Sequence, residues 1–147
     1  MQVEDILSVP NVPQLIRVVT RVLVAALLGA LLGWERQRAG KSAGLRTHML
    51  VALGAALFVL FPAEAGMSIA DLSRVIQGVA TGIGFIGAGT ILKRAEAEHV
   101  EGLTTAASIW LTGAIGMAVG AGQVWLSALC AISAWVILFG LAKLEPR

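Results

Sequence analysis

Apolar residues in this chain arrive in blocks rather than in alternation. Five stretches, residues 18–34, 47–61, 75–92, 103–121 and 124–142, carry almost no charge in their interiors, and the charged residues gather between them. At about 1.5 Å of rise per residue, a run of roughly 17–25 mostly apolar residues crosses a bilayer as a helix. Helix is the form such a run takes because lipid offers the backbone no hydrogen-bond partner, so each N–H and C=O must be satisfied within the segment or the bundle. The pattern predicts an all-α polytopic membrane bundle of five transmembrane helices.

The connectors punctuate those helices. Residues 1–14 read as a short leader in which Pro10 and Pro13 block a long helix, and residues 15–147 read as one transmembrane domain. The first helix is expected to start near Gln14, with Arg17 and Arg21 one turn apart and able to reach lipid headgroups. A basic connector, residues 35–46, leads to a second helix ending near Pro62; its short apolar core leaves a re-entrant segment as the alternative. The third helix is expected to close at Lys93 and Arg94, before a polar connector holding Glu96, Glu98, His99 and Glu101. Thr104 or Thr105 is placed to cap the fourth helix. The uncharged link 120–123 makes the fourth and fifth helices an antiparallel hairpin.

Charge then sets a direction. Arg36, Arg38, Lys41, Arg46, Lys93, Arg94, Lys143 and Arg147 fall on one side, against Arg17, Arg21 and Arg74 on the other. Lysine and arginine mark the cytoplasmic side, so eight against three predicts an N-out, C-in arrangement, which an odd number of spans requires. Composition agrees: 57% of residues are hydrophobic, 14% are charged and the mean hydropathy is +0.84, which is wrong for a soluble domain. A net charge of +2 does not suggest a nucleic-acid surface, and a single cysteine, Cys130, excludes an internal disulfide and a cysteine metal cluster. Glu4 and Asp5, and the absence of a small-residue cleavage site after the first span, argue against a cleaved signal peptide.

Few residues offer chemistry. Gly82, Gly84 and Gly87 match G-x-G-x-x-G, but the match lies inside an apolar span with no preceding strand, so dinucleotide binding has no support. Two readings of that region stay open. In one, Gly82, Gly84, Gly87 and Gly89 let helices pack closely, as do the pairs Gly29/Gly33, Gly78/Gly82 and Gly116/Gly120. In the other, the third helix unwinds over residues 84–89 and its carbonyls line a cation pathway. The polar residues within spans are Gln77, Thr81, Thr90, Ser108, Thr112, Ser127 and Ser133, and such groups bond between helices or back to their own backbone. No carboxylate sits in mid-span, which counts against a proton-coupled pump.

The other focus is the cytoplasmic mouth, where Glu35, Arg46, Thr47, His48, Thr104 and Thr105 are the candidate functional residues and Glu35 is placed to pair with Arg46. His48 and His99 share that face as a weak metal candidate; no metal site, catalytic residue or cofactor is assigned, and Ser, His and Asp do not converge in one motif. Trp34 and Trp125 fit an interfacial belt, with Trp110 and Trp135 deeper as packing residues.

Three blocks carry a family resemblance: GLRTHMLVALGAALF (44–58), GIGFIGAGTILKR (82–94) and GLTTAASIWLTGAIGMAVGAG (102–122), with GWERQRAGKSAGLRTH (33–48) beside them. In these, over residues 15–145, the chain resembles the membrane domain of the MgtC/SapB family; many members continue into a soluble C-terminal domain, and a sequence that stops at Arg147 reads either as a short form lacking that domain or as part of a longer chain. The resemblance implies a five-helix inner-membrane protein tied to magnesium limitation and, in some members, virulence. It implies a non-enzymatic role in regulating membrane machinery, with the ATP synthase or a cation transporter as partner and self-association as a further option. The alternative is an oligomeric channel or transporter for Mg2+ or another cation.

Overall fold

The computed structural model describes residues 11–93 and 100–141, the side chains of residues 92 and 93 aside. Residues 1–10 of the leader, the basic residues Arg94, Lys143 and Arg147, and Glu96, Glu98 and His99 lie outside the described residues. Among the described residues five helices form the bundle: α1 (Val12–Arg38), α2 (Leu45–Glu64), α3 (Ile69–Ala88), α4 (Leu103–Gly120) and α5 (Val124–Gly140). The first four are long and apolar enough to cross a membrane; α5 is apolar but 17 residues long.

Local chemistry fixes most ends. The Asn11 side chain accepts a hydrogen bond from the Gln14 N–H at 2.9 Å, and Pro13 sits in the first turn, where its missing N–H costs nothing. At α3, the Ser68 hydroxyl accepts from the Asp71 N–H and donates to the Asp71 carboxylate at 2.7 Å.

The observed ends depart from the hydropathy reading in three places. α2 is one continuous helix that carries Pro62 within it and runs to Glu64, so it is not re-entrant. α3 is regular through Ala88 and does not unwind at residues 84–88; Gly89 caps it in the right-handed helical region, and the Thr90 hydroxyl closes the turn on the Gly87 carbonyl at 2.7 Å. The chain beyond is extended: β1 (Leu92–Lys93) pairs antiparallel with β2 (Val100–Glu101), Leu92 opposite Glu101 and Lys93 opposite Val100. Neither Thr104 nor Thr105 caps α4. Gly102 does, with φ +94, and a Cβ there would fall 2.0 Å from the Thr90 carbonyl oxygen, so left-handed geometry and close approach both demand glycine.

Small residues set the helix spacing. α1 lies on α2 with Gly29 over Ala52 and Met49, and Gly33 over Leu45 and Gly44, a descending register that makes the two antiparallel. α4 lies on α2 with Gly116 over Ala52 and Gly120 over Ala56, an ascending register that makes them parallel. That alternation is what successive spans require. In lipid, with no hydrophobic drive between helices, such backbone approach supplies the packing that holds them together. Gly78, Gly82 and Gly84 differ: among the described residues a Cβ on any of them meets nothing within 4 Å. Of the twenty residues of α3, only Ile83 and Gly87 are buried. The helix stands off from α2 across an open apolar cleft of about 600 Å³, bordered by Leu50, Gly54, Phe58, Val75, Gly78 and Ile86.

Candidate functional site: polar groups closed inside the bundle

Two polar clusters tie the helices at opposite ends. At the end holding the α1 start, Glu64 of α2 accepts from Arg17 at 3.1 and 3.2 Å and from the Gln14 amide at 3.2 Å. Arg21 lies 3.8 Å from Glu64 and donates to the Gly120 carbonyl at 3.0 Å, satisfying an otherwise open acceptor at the α4 C-terminus. Arg17 and Arg21 therefore lock three helices together, a use the sequence did not disclose.

The other end carries most of the sequence candidates. Glu35 and Arg36, neighbours on α1, form a buried bidentate pair in which Arg36 donates through Nε and, at 2.8 Å, through Nη2. Arg36 is 2% exposed and also donates to the Leu138 carbonyl of α5 at 3.4 Å, fastening the last turn of that helix. The expected Glu35–Arg46 pair does not form: Arg46 is exposed in the first turn of α2, and Glu35 is already taken by the guanidinium beside it. Adjacent helix positions rarely face each other, which is why spacing gave no hint of this pairing.

His48 is fully buried beneath that pair, with Gly33 against its Cβ. Its Nδ1 lies 3.0 Å from the Gly44 carbonyl, which can only accept, so Nδ1 carries a hydrogen and donates. Its Nε2, left as an acceptor, lies 3.2 Å from the Ser108 hydroxyl of α4, whose single hydrogen is shared between Nε2 and the Thr105 carbonyl at 2.8 Å. The fold thus brings a serine and a histidine together, which the linear motifs did not suggest. Both are closed off from solvent, Ser108 being 5% exposed, and a carbonyl rather than a carboxylate orients the ring, so the pair is an interhelical bridge and not a nucleophile with its base. Thr112, one turn further, donates to the Ser108 carbonyl at 2.7 Å. Ser127, Ser133 and Thr81 likewise bond back to the carbonyl four residues earlier.

The candidates divide accordingly. Glu35, His48 and Thr105 are buried in this cluster, and Gly87 packs against Ala106, its Cβ position 3.3 Å from that carbonyl oxygen. Arg46 and Thr104 face outward, Thr47 is half-buried, and Gly82, Gly84 and Gly89 are exposed. Sequence reading passed over Arg36, one charge among several in the basic connector, and Ser108, an ordinary polar residue of a span; neither carried a signal that set it apart. Among the described residues no group of three or more His, Cys, Asp or Glu gathers as a metal site, and His99 lies outside them. Trp110 is 51% exposed on the bundle's outer face rather than packed inside, whereas Trp135 stacks on Phe139 at 5.1 Å.

A family model described as the MgtC family matches residues 22–147. SrpB of Synechococcus elongatus is 45% identical over 136 residues, covering 85% of this chain and 75% of its own length. YhiD of Escherichia coli K12 is 45% identical over 112 residues, 71% of this chain and 51% of its own length. MgtC of Brucella abortus is 44% identical over 108 residues, 74% of this chain and 44% of its own length, so the chain spans about half the length of these last two relatives. No solved structure matches it. A match over almost the whole bundle, with relatives near 45% identity, places this five-helix membrane protein in the MgtC family.

Proposed function

We propose that the chain serves magnesium homeostasis in the bacterial inner membrane as a non-enzymatic protein that acts on other membrane proteins by contact, without conducting ions itself. The magnesium part rests on kinship: similar proteins are named MgtC, and YhiD is named as a candidate magnesium transporter. One structural observation carries the choice of contact over conduction. Among the described residues, no buried side-chain nitrogen or oxygen lacks a hydrogen-bond partner, so no side-chain oxygen of the interior stands uncommitted to replace an ion's water. The glycine contacts of α1 and α4 against the α2 backbone support the same reading, since they leave no lumen along that seam. The charge count supports an N-out insertion, with the Glu35–His48 end toward the cytoplasm and within reach of a partner such as the ATP synthase or a cation transporter.

The test is growth under limiting magnesium of a strain lacking its own copy. Restored growth from the inserted chain, and none from a correctly inserted Gly116→Leu variant that disrupts the α2–α4 seam, is the expected result. Failure of the inserted wild-type chain to restore growth overturns the homeostasis reading. An oligomeric cation channel is the second reading, and the polar residues Gln77 and Thr81 on the outer face of α3 are what favour it, because several copies turning that face inward would line a pore.

A further inference from the structure

The cleft between α2 and α3 lies at the depth of the hydrocarbon and opens on the outside of the bundle, where Leu50, Phe58 and Ile86 are exposed. Every side chain that lines it is aliphatic or aromatic, and Gly54, Gly78 and Gly82 contribute none. Water finds no hydrogen-bond partner on such walls, so hydrocarbon fills the space. Size says which hydrocarbon. The cleft follows α2 from Leu50 to Phe58, about 12 Å, and a helix of that length, about 10–12 Å across, would fill roughly 900–1,400 Å³. At about 600 Å³ the cleft takes a thinner body, an acyl chain. Two polar side chains head the same stripe of α2: Arg46 stands one turn before Leu50, and Thr47 one turn before Val51. Arg46 is exposed and Thr47 half-buried, and neither side chain has a hydrogen bond or ion pair among the described residues. Arg38 and Lys41, both exposed, share that end of the bundle with the positive end of the α2 dipole. At the opposite mouth the charge is offset, because Arg74 lies one turn from Asp71.

We propose that the cleft holds one acyl chain of an anionic phospholipid, drawn from the leaflet at the Arg46 end, with the lipid phosphate on the Arg46 guanidinium and the Thr47 hydroxyl. The guanidinium fork suits a phosphate, and the free hydroxyl adds a donor beside it. Depth agrees with charge: Arg46 to Phe58 is about 18 Å along α2, close to the roughly 15 Å of one leaflet. The chain passes Leu50, Gly54 and Phe58 on one side and Ile86, Val79 and Val75 on the other. Lipid thereby completes the α2–α3 contact that the side chains leave open. The site is independent of the function proposed above and of the direction of insertion, since it needs only a bilayer around the bundle.

The experiment uses the full chain in neutral detergent micelles, titrated with phosphatidylglycerol, phosphatidylcholine or inorganic phosphate while the melting temperature is followed. Phosphatidylglycerol should raise it saturably, because a ligand that binds only the folded state stabilises that state. Phosphatidylcholine should act only at higher concentration, and inorganic phosphate not at all. Arg46→Ala should weaken the response to phosphatidylglycerol about fivefold, the worth of one basic residue at an anionic lipid surface, and leave the melting temperature in detergent alone unchanged. Gly54→Leu, whose Cβ meets nothing within 4 Å, should fold and lose the response. In vesicles, phosphatidylglycerol with a photoreactive group at the end of its chain should label Phe58 and Val75, and with the group near its headgroup Leu50 and Ile86. Where Gly54→Leu does not fold, that labelling map decides. Equal responses to the two lipids with Arg46→Ala unaffected, or labels spread over the outer faces of α1 and α5 as for ordinary boundary lipid, each overturn the proposal. So does photo-crosslinking that joins a second copy of the chain at the cleft in place of lipid.

Discussion

The seam between α2 and α4 gives the sharpest quantitative test. A Cβ on Gly116 would fall 2.2 Å from the Ala52 carbonyl oxygen and 2.9 Å from the Ala52 carbonyl carbon and Cα. These are backbone atoms of a helix, so no rotamer change relieves the contact and α4 must move away from α2 by roughly 1 Å to reach van der Waals distance. A gap of that size forfeits about a quarter to a half of the dispersion energy of each contact it opens, and forced overpacking costs about 1–3 kcal/mol. Gly116→Ala should therefore destabilise the bundle by about 2 kcal/mol. Gly54 on α2 supplies the control, because a Cβ there meets nothing within 4 Å and alanine is the better helix former. Reversible unfolding in mixed micelles, followed by circular dichroism against rising denaturing detergent, measures both. The reasoning fails if Gly116→Ala matches wild type within about 0.5 kcal/mol, or if Gly54→Ala loses as much.

Other positions extend the test. Arg36→Leu leaves the Glu35 carboxylate buried without its partner and should cost about 3–5 kcal/mol in the same assay, whereas joint replacement of both residues by leucine should recover most of the loss. Arg46→Ala, which removes an exposed side chain with no ion pair among the described residues, should leave stability unchanged; an equal loss from Arg46→Ala and Arg36→Leu would mean the pairing is misassigned. His48→Leu should cost about 1–2 kcal/mol, because it removes one bridge between α2 and α4 while Ser108 keeps its bond to Thr105; a neutral result would show that the bridge holds nothing. Labelling from the cytoplasmic side should reach Lys41→Cys but not Met67→Cys in the Cys130→Ala background, and the reverse pattern would contradict the charge-based orientation.

The helices were legible in the sequence because hydropathy records burial in lipid directly, and the short link after Gly120 made the α4–α5 hairpin evident. Their inward faces were harder to read. In water a buried face is more apolar than an exposed one; in a bilayer both are apolar, so the periodicity that identifies a packing face is largely erased. This is why Gly116/Gly120 and Gly78/Gly82 look alike as spacing, yet the first pair touches the α2 backbone and the second meets open space. The end of α3 was misplaced for a related reason: Ile91 and Leu92 prolong the apolar run, although the helix stops at Ala88 and the strand pairing begins at Leu92. At the buried cluster, residue type singled out Glu35, His48 and Thr105, and the fold buries all three there. It did not show that Arg36 rather than Arg46 neutralises Glu35, since that depends on how a long side chain folds back over its own helix.

The most direct check on the central claim, that the bundle is closed and acts through its surfaces, is Mg2+ entry into vesicles holding only this protein and an internal Mg2+-sensitive dye. The account expects influx equal to that of protein-free vesicles at every external concentration, from protein verified as folded and uniformly inserted. Saturable, protein-dependent influx, weakened by Gln77→Leu, would contradict it and put a conducting path along α3.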